Sequence, residues 1–385
     1  MKGAAIAILL LSLAASCARQ RPGGGAPGAT VDSGKPIRLM GGIYNVRPRW
    51  NATGDTLGWL TGFQTMGLER ARDLMLWKPG DPPEKVERVT EARTLDQFTF
   101  SPDGQFVSYQ ELLALKQRYE WGVIDLATRK MRPLFQGTEN RGGGVWAAND
   151  HAVAFGGAVF SHNGGAWKQE ADLKTPCPQS SAEPVGDSGF LVACIGNEDD
   201  NLFRFREGKW APFHVDDGIP NFLKYFPESR QYVLVLVQAW KTERAQYTIY
   251  VLDKDLSPAI TIQNLSHPLI LSGFSNSHLY FSEKADIRYP DYDSEVIYFY
   301  PAKLRKVTKV EHLIWDVRNG IMVYSPIATD AELWARAGEG PGRKLMTVGR
   351  IGGVAVSPDA ARVALSAQRN RRIPDSFIWV LNLPK

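Results

Sequence analysis

One short phrase returns in register along nearly the whole chain, and it leaves few folds open. Its clearest copy is Phe100-Ser101-Pro102-Asp103-Gly104-Gln105-Phe106-Val107-Ser108-Tyr109, matched position for position by Val356-Ser357-Pro358-Asp359-Ala360-Ala361-Arg362-Val363-Ala364-Leu365. Looser copies start at Trp50 and Trp146. In each, an apolar residue closes one run, four turn-forming residues follow, and a run of alternating apolar residues begins. Pro and Asp-Gly supply turn dihedrals, and alternation of period two supplies a half-buried strand, so the phrase reads as a β-hairpin. A hairpin recurring at a fixed interval is a repeat architecture.

With the apolar residue before each turn as a marker, copies fall at Trp50, Phe100, Trp146, Val185, Tyr225, Phe274, Val317 and Val356, a mean spacing of about 44 residues. A third strand follows most markers, as in Leu74–Trp77, Trp121–Ile124 and Thr248–Val251, and a more polar fourth strand often carries Lys or Arg. Four strands per interval is the content of a propeller blade. The expected fold is therefore all-β: a propeller of eight four-stranded blades, with seven as the alternative because blades three and four are short. The last unit stops after its third strand, whereas Pro36–Met40 precedes the first blade as an orphan fourth strand. Its pairing into the last blade would close the ring and remove an aggregation-prone edge.

The N-terminus reads as a targeting segment. Lys2 gives a positive start, and an apolar stretch up to Ser16 is too short to span a bilayer. Leu13-Ala14-Ala15-Ser16-Cys17 resembles the lipobox of bacterial lipoproteins, although Ala14 stands where that family prefers Leu. The resemblance implies a signal peptide over 1–16 and lipidation of Cys17. With Ala18 and Arg19 following, it also implies sorting to the outer membrane. Residues 17–35 are Gly-, Pro- and Ala-rich and read as a tether, leaving 36–385 for the propeller. Of the 45 Lys and Arg, only Lys2 lies in the signal, so 44 face 41 acids in the mature chain, a net +3. That excludes bulk electrostatic capture of nucleic acid. In an exported protein Cys177 and Cys194 are expected to form a disulfide, whose short loop gives a stabilisation of about 3 kcal/mol.

The Ser-Pro-Asp-Gly turn followed by an apolar strand resembles the TolB-type, WD-like propellers of bacterial envelopes, over roughly residues 44 to 385. The resemblance is specific for fold and weak for function, since propellers with this turn include interaction proteins, sugar lyases and peptidase-associated domains. Asp103 and Asp359 have a structural task in such a turn, accepting backbone hydrogen bonds.

The chain carries no Gly-x-Ser-x-Gly elbow, no phosphate-binding Gly loop and no His-Glu-x-x-His. Gly142-Gly143-Gly144 reads as a loop before the third blade's inner strand rather than an anion cradle. Three other features could carry function. The connections between second and third strands share one face and are basic, often near aromatics: Arg70 and Arg72; Lys116, Arg118 and Tyr119; Trp240, Lys241 and Arg244; Lys284, Arg288 and Tyr289; Arg369, Arg371 and Arg372. Such a face suits an anionic glycan, an acidic peptide or an envelope protein. His214, His267 and His312 recur before successive inner strands and are candidate ligands for a metal, as in propeller uronate lyases, the enzymatic alternative. Asp286, Asp291, Asp293 and Glu295 read as a solvated acidic turn rather than a calcium loop. The expectation is a monomeric, cofactor-free scaffold in the cell envelope that binds a partner and catalyses nothing.

Overall fold

The computed structural model describes residues 35–385 apart from 43, 65–69, 92, 114–116, 139, 150, 174–179, 196–201, 239–245, 266–268, 276–277, 284–294, 301–302, 307–311, 327–330, 339, 369–375 and 384–385. Among the described residues the strands form eight four-stranded antiparallel sheets, and the one helical turn is the 3-10 segment Pro83–Lys85. Each sheet begins with an inner strand at its edge: Tyr44–Trp50, Leu95–Phe100, Val145–Trp146, Ser180–Val185, Ile219–Phe226, Leu269–Ser275, His312–Arg318 and Arg350–Val356. These are blades one to eight. All eight markers fall at or next to the end of an inner strand. In a propeller these inner strands surround a central lumen.

Blade eight is completed from the other end of the chain. Ile37–Gly42 pairs antiparallel with Ser376–Asn382, with Ile37 opposite Val380 and Gly42 opposite Ser376. Leu39 is buried there against Trp59, Met75 and Trp77 of blade one and Ile378 and Val380 of blade eight. The Arg38 guanidinium lies 4.6 Å from the Phe377 ring centroid. A polar latch backs this seam. Asn45 Nδ2 donates to Ser376 O at 2.6 Å, Thr61 Oγ1 donates to Asn45 Oδ1 at 2.7 Å, and Ser366 Oγ donates to Asn45 O. All four residues are buried, so each bond satisfies a group that water cannot reach.

The core lies between neighbouring blades. Leu60, Leu74 and Leu76 of blade one meet Leu95, Phe98 and Tyr109 of blade two. Trp121 of blade two, stacked on Phe135 at 4.6 Å, packs toward Phe155 and Phe160 of blade three.

The recurring turn owes its shape to its side chains. Ser101 Oγ accepts Phe106 N at 2.9 Å and donates to Asp103 Oδ1 at 2.6 Å, while Asp103 accepts Gln105 N at 2.9 Å. Ser357 and Asp359 repeat all three bonds. In blade one Asn51 replaces the serine, accepting Thr56 N at 3.1 Å and donating to Asp55 at 2.7 Å. The fourth turn residue needs a left-handed backbone, so Gly104 (φ +71°) is suited to it, and Ala360 (φ +53°) takes the same region despite its methyl group. The turns also touch around the ring. A Cβ on Gly54 would lie 3.3 Å from Pro358, and one on Gly104 3.3 Å from Asn51.

Candidate functional site

Six of the eight inner strands carry a register shift against their neighbour, at Val46/Arg49, Leu95/Gln97, Pro220/Phe222, Leu271/Gly273, Ile314/Asp316 and Ile351/Gly353. An extra residue bends a strand and re-aims its side chains. The bulged Asp96 accepts from Arg72 at 2.8 Å and faces Arg47 at 3.6 Å.

Blade three opens the lumen on one side. Its inner strand has two residues, and Gly142-Gly143-Gly144 runs before them. Any side chain on the last two of these glycines would collide. A Cβ on Gly143 would stand 2.8 Å from Gln97 Cβ, and one on Gly144 2.7 Å from the Phe155 ring. The triplet is thus a close-approach loop leading into the inner strand of blade three.

A cavity of about 630 Å3 results, lined by residues of blades one to five. The turn residues Ala52, Pro102, Ala148 and Pro227 belong to it, so it reaches the end of the ring where the strand 1–2 turns lie. Three cations line it. Lys224 Nζ bonds Glu183 Oε1 at 3.0 Å, and Arg141 bonds Asp172 at 3.0 Å while lying over Phe135. Arg49 differs: among the described residues it has no ion-pair or hydrogen-bond partner for its guanidinium. Arg49 is exposed to the lumen; partial desolvation by the surrounding protein lowers its pKa, with the Arg47 charge acting in the same direction. Burial raises the Glu183 pKa, against the pull of Lys224 and of the Tyr225 N–H.

The residue before each marker is the readable signal for this wall. Arg49, Thr99, Val145, Pro184 and Lys224 all precede a marker, and all five line the cavity. Asp316 holds the same place in blade seven. It accepts Val356 N of blade eight at 2.8 Å and is raised in pKa by burial, against the pull of Arg318 and of those backbone donors.

Of the sequence-predicted basic face, Arg70 and Arg72 open the third strand of blade one (Arg70–Trp77) and Arg118 that of blade two (Arg118–Asp125). They lie at the strand 2–3 end, opposite the cavity's turn rim. Arg72 is committed to Asp96. Lys116, Trp240, Lys241, Arg244, Arg288, Arg369, Arg371 and Arg372 lie outside the described residues, as do Lys284, Tyr289, Asp286, Asp291 and Asp293. His214 is exposed, with Asp217 at 3.9 Å. His267 lies outside the described residues, and His312 begins the inner strand of blade seven. No group of three metal-ligating side chains occurs among the described residues. Cys194 is buried and disulfide-bonded; Cys17 and Cys177 lie outside the described residues.

Sequence reasoning missed a second charged cluster between blades one and two. Arg93 Nη2 bonds both Glu111 and Glu120, at 3.2 Å for the latter. Thr94 N donates to Glu111 at 3.0 Å, and Tyr109 OH (3.1 Å) and Gln136 Nε2 (2.9 Å) donate to Glu120. Burial and then the Glu120 charge push the Tyr109 hydroxyl far up. Asp73, fully buried, takes two bonds from Arg88 and one from Thr90. With so many internal partners these groups serve as braces, Asp73 with Arg88 within blade one and Arg93 with Glu111 and Glu120 between the blade-one connection and blade two.

No protein-family model and no curated protein sequence matches the chain. Solved structures do resemble it. The Dos1 propeller superposes with a TM-score of 0.59 at 13% identity, covering 90% of this chain and 95% of that one. The β-propeller domain of the Trilobed protease from Pyrococcus furiosus gives 0.52 at 11% identity, covering 89% and 98%. That domain is described as having an open velcro topology, whereas here Ile37–Gly42 is hydrogen-bonded into the last blade. An acylaminoacyl peptidase gives 0.51 at 11% identity; this chain is covered over 89% and spans 52% of that one. At such identities the likeness establishes the fold alone, and the chain is a β-propeller.

Proposed function

We propose that the chain is an exported bacterial lipoprotein of TolB-like kind, anchored through Cys17, whose propeller docks an envelope protein or an anionic ligand on its basic strand 2–3 end and catalyses nothing. The observation that carries this reading is the closure of blade eight by Ile37–Gly42. The closing strand follows directly on the Gly/Pro-rich tether, so a lipid at Cys17 would hold a sealed, stiff ring close to a membrane. A stiff ring keeps its connecting loops pre-organised and lowers the ordering cost of binding. Basic residues start the third strands of blades one and two at that end, and the sequence places further Arg and Lys in the corresponding connections of blades five, six and eight.

Two measurements test it. Labelled palmitate should enter the wild-type chain and not Cys17→Ser, and the variant should leave the membrane fraction. Reversing Arg369, Arg371 and Arg372 to Glu should weaken capture of the envelope partner and flatten its salt dependence. Unchanged capture after the triple reversal removes the basic-end reading. A stoichiometric metal in the purified protein, lost in His267→Ala together with cleavage of acidic polysaccharide, would favour the lyase alternative instead.

A further inference from the structure

Arg49 is a charge in the lumen cavity that the loop-end reading does not use. Its side chain is exposed to the lumen, and a ligand that displaces solvent there has to supply the counter-charge itself. Among the described residues no carboxylate or carbonyl pairs with Arg49, and the charge that acts on it is another cation, Arg47. Arg47 is itself served by Asp96 at 3.6 Å. The cavity lining holds three cations (Arg49, Arg141, Lys224) against one acid (Glu183), a local balance of +2. Arg141 and Lys224 are engaged with Asp172 and Glu183, so the unanswered charge is that of Arg49.

We propose that the lumen cavity binds the free C-terminal carboxylate of an extended peptide, with Arg49 as its anion anchor. Three features of the wall select this chemistry. A single unpaired guanidinium matches a singly charged, planar carboxylate through two parallel hydrogen bonds. Much of the remaining lining is Ala52, Phe100, Pro102, Val145, Tyr225 and Pro227, which suits peptide side chains and offers few partners to a polyhydroxylated sugar. Each inner strand is the edge of its sheet, so Ser180–Val185 has one backbone edge on the lumen side, where an extended chain can add hydrogen bonds. The volume of about 630 Å3 is within the range of ligand pockets. Gly143 and Gly144 belong to the same wall, keeping side chains out of a space that a Cβ would already crowd.

The site differs from the strand 2–3 loops in place and in ligand, and does not depend on them. It is tested on the full mature chain by calorimetry with acetyl-Ala-Pro-Phe-Ala bearing a free carboxylate, and with the same peptide as its C-terminal amide. The acid should bind, and the amide at least about 10-fold more weakly, the scale expected for losing a charge-assisted hydrogen-bonded pair. Arg49→Met should abolish the acid's advantage, and Arg49→Lys should keep part of it. Because Arg49 braces nothing, Arg49→Met should melt at or above the wild-type temperature. Equal binding of acid and amide, or no binding of the acid at millimolar concentration, overturns the proposal. So does undiminished acid binding by Arg49→Met, or a melting temperature that falls in that variant. Stronger competition by inorganic phosphate or a hexuronate trimer than by the peptide acid overturns the choice of ligand.

Discussion

Leu39 offers a direct measure of how firmly the ring is sealed. Its side chain is 2% exposed and sits between blades eight and one, against Trp59, Met75, Trp77, Ile378 and Val380. Leu39→Ala removes that contact while leaving the backbone ladder of Ile37–Gly42 free to form. Buried Leu→Ala changes cost about 2.7–5 kcal/mol, the spread reflecting how far the site collapses. A strand near one end of the folded body can shift inward, so about 3 kcal/mol is expected. For a body of this size about 2 °C of melting temperature goes with each kcal/mol, which makes the loss about 6 °C. The control is Leu112→Ala, whose side chain is 39% exposed and should cost under about 0.5 kcal/mol. Thermal melting gives the magnitude, and amide exchange gives the location. Exchange should quicken along Ser376–Asn382, the strand that faces the closing segment, and stay unchanged in blade five. If both variants melt within a degree of each other, or if exchange along Ser376–Asn382 does not move, the closing strand contributes nothing and the argument fails.

Three further outcomes follow from other parts of the molecule. Arg93→Met strands Glu111 and Glu120, which are 4% and 9% exposed; because Arg93 itself is one-third exposed, the cost belongs at the low end for a broken buried pair, about 3 kcal/mol. Adding Glu111→Gln to that variant should recover at least about 1 kcal/mol in denaturant unfolding, and no recovery would mean that charge is not the reason. Gly144→Ala places a Cβ 2.8 Å from Ser108 Oγ at φ +93°, so overpacking and left-handed strain together should cost about 3 kcal/mol by melting, against near-neutrality if the loop can shift. Glu183 has a raised carboxyl pKa, chiefly from burial, so it favours folding below the ordinary carboxylate range and loses that contribution as pH rises through its folded-state value. The stability of wild type relative to Glu183→Gln should therefore decline from pH 4 to pH 8, and a difference independent of pH would contradict the burial argument.

What the sequence made legible was whatever a repeat writes locally. Ser101-Pro102-Asp103-Gly104 and Ser357-Pro358-Asp359 announce their hydrogen bonds through residue type, since few other side chains can accept a backbone N–H two residues on. The orphan strand before Trp50 was legible by subtraction, because the last unit lacked its fourth strand. Blade three shows the opposite case. Its third strand, Ala158–Asn163, follows Ala152–Phe155 across only Gly156-Gly157, and the two apolar runs merge into one in a pattern reading. The Arg93 and Asp73 braces were invisible for another reason. Arg93 and Glu120 stand 27 residues apart and Asp73 and Arg88 15, so each pair meets only once the strands that carry it are paired.

The lumen wall lies between these extremes. The residue before each marker lines it in five successive blades, so its chemistry can be read once the markers are fixed. That column also separates structure from function by a simple criterion. Asp316 is half-buried, and it accepts the Val356 amide across the seam between blades seven and eight and the adjacent Val317 amide within blade seven. Lys224 is answered by Glu183. Arg49 occupies the same register with nothing to answer it among the described residues, although the Asn51 amide and the Asp55 carboxylate of the blade-one turn lie a few residues away in sequence. A fold that gave the other charged members of a column a partner, and left one guanidinium facing an open cavity, has placed its unspent binding capacity at that residue. Exchanging Arg49 for Met is therefore the substitution expected to change binding while sparing stability.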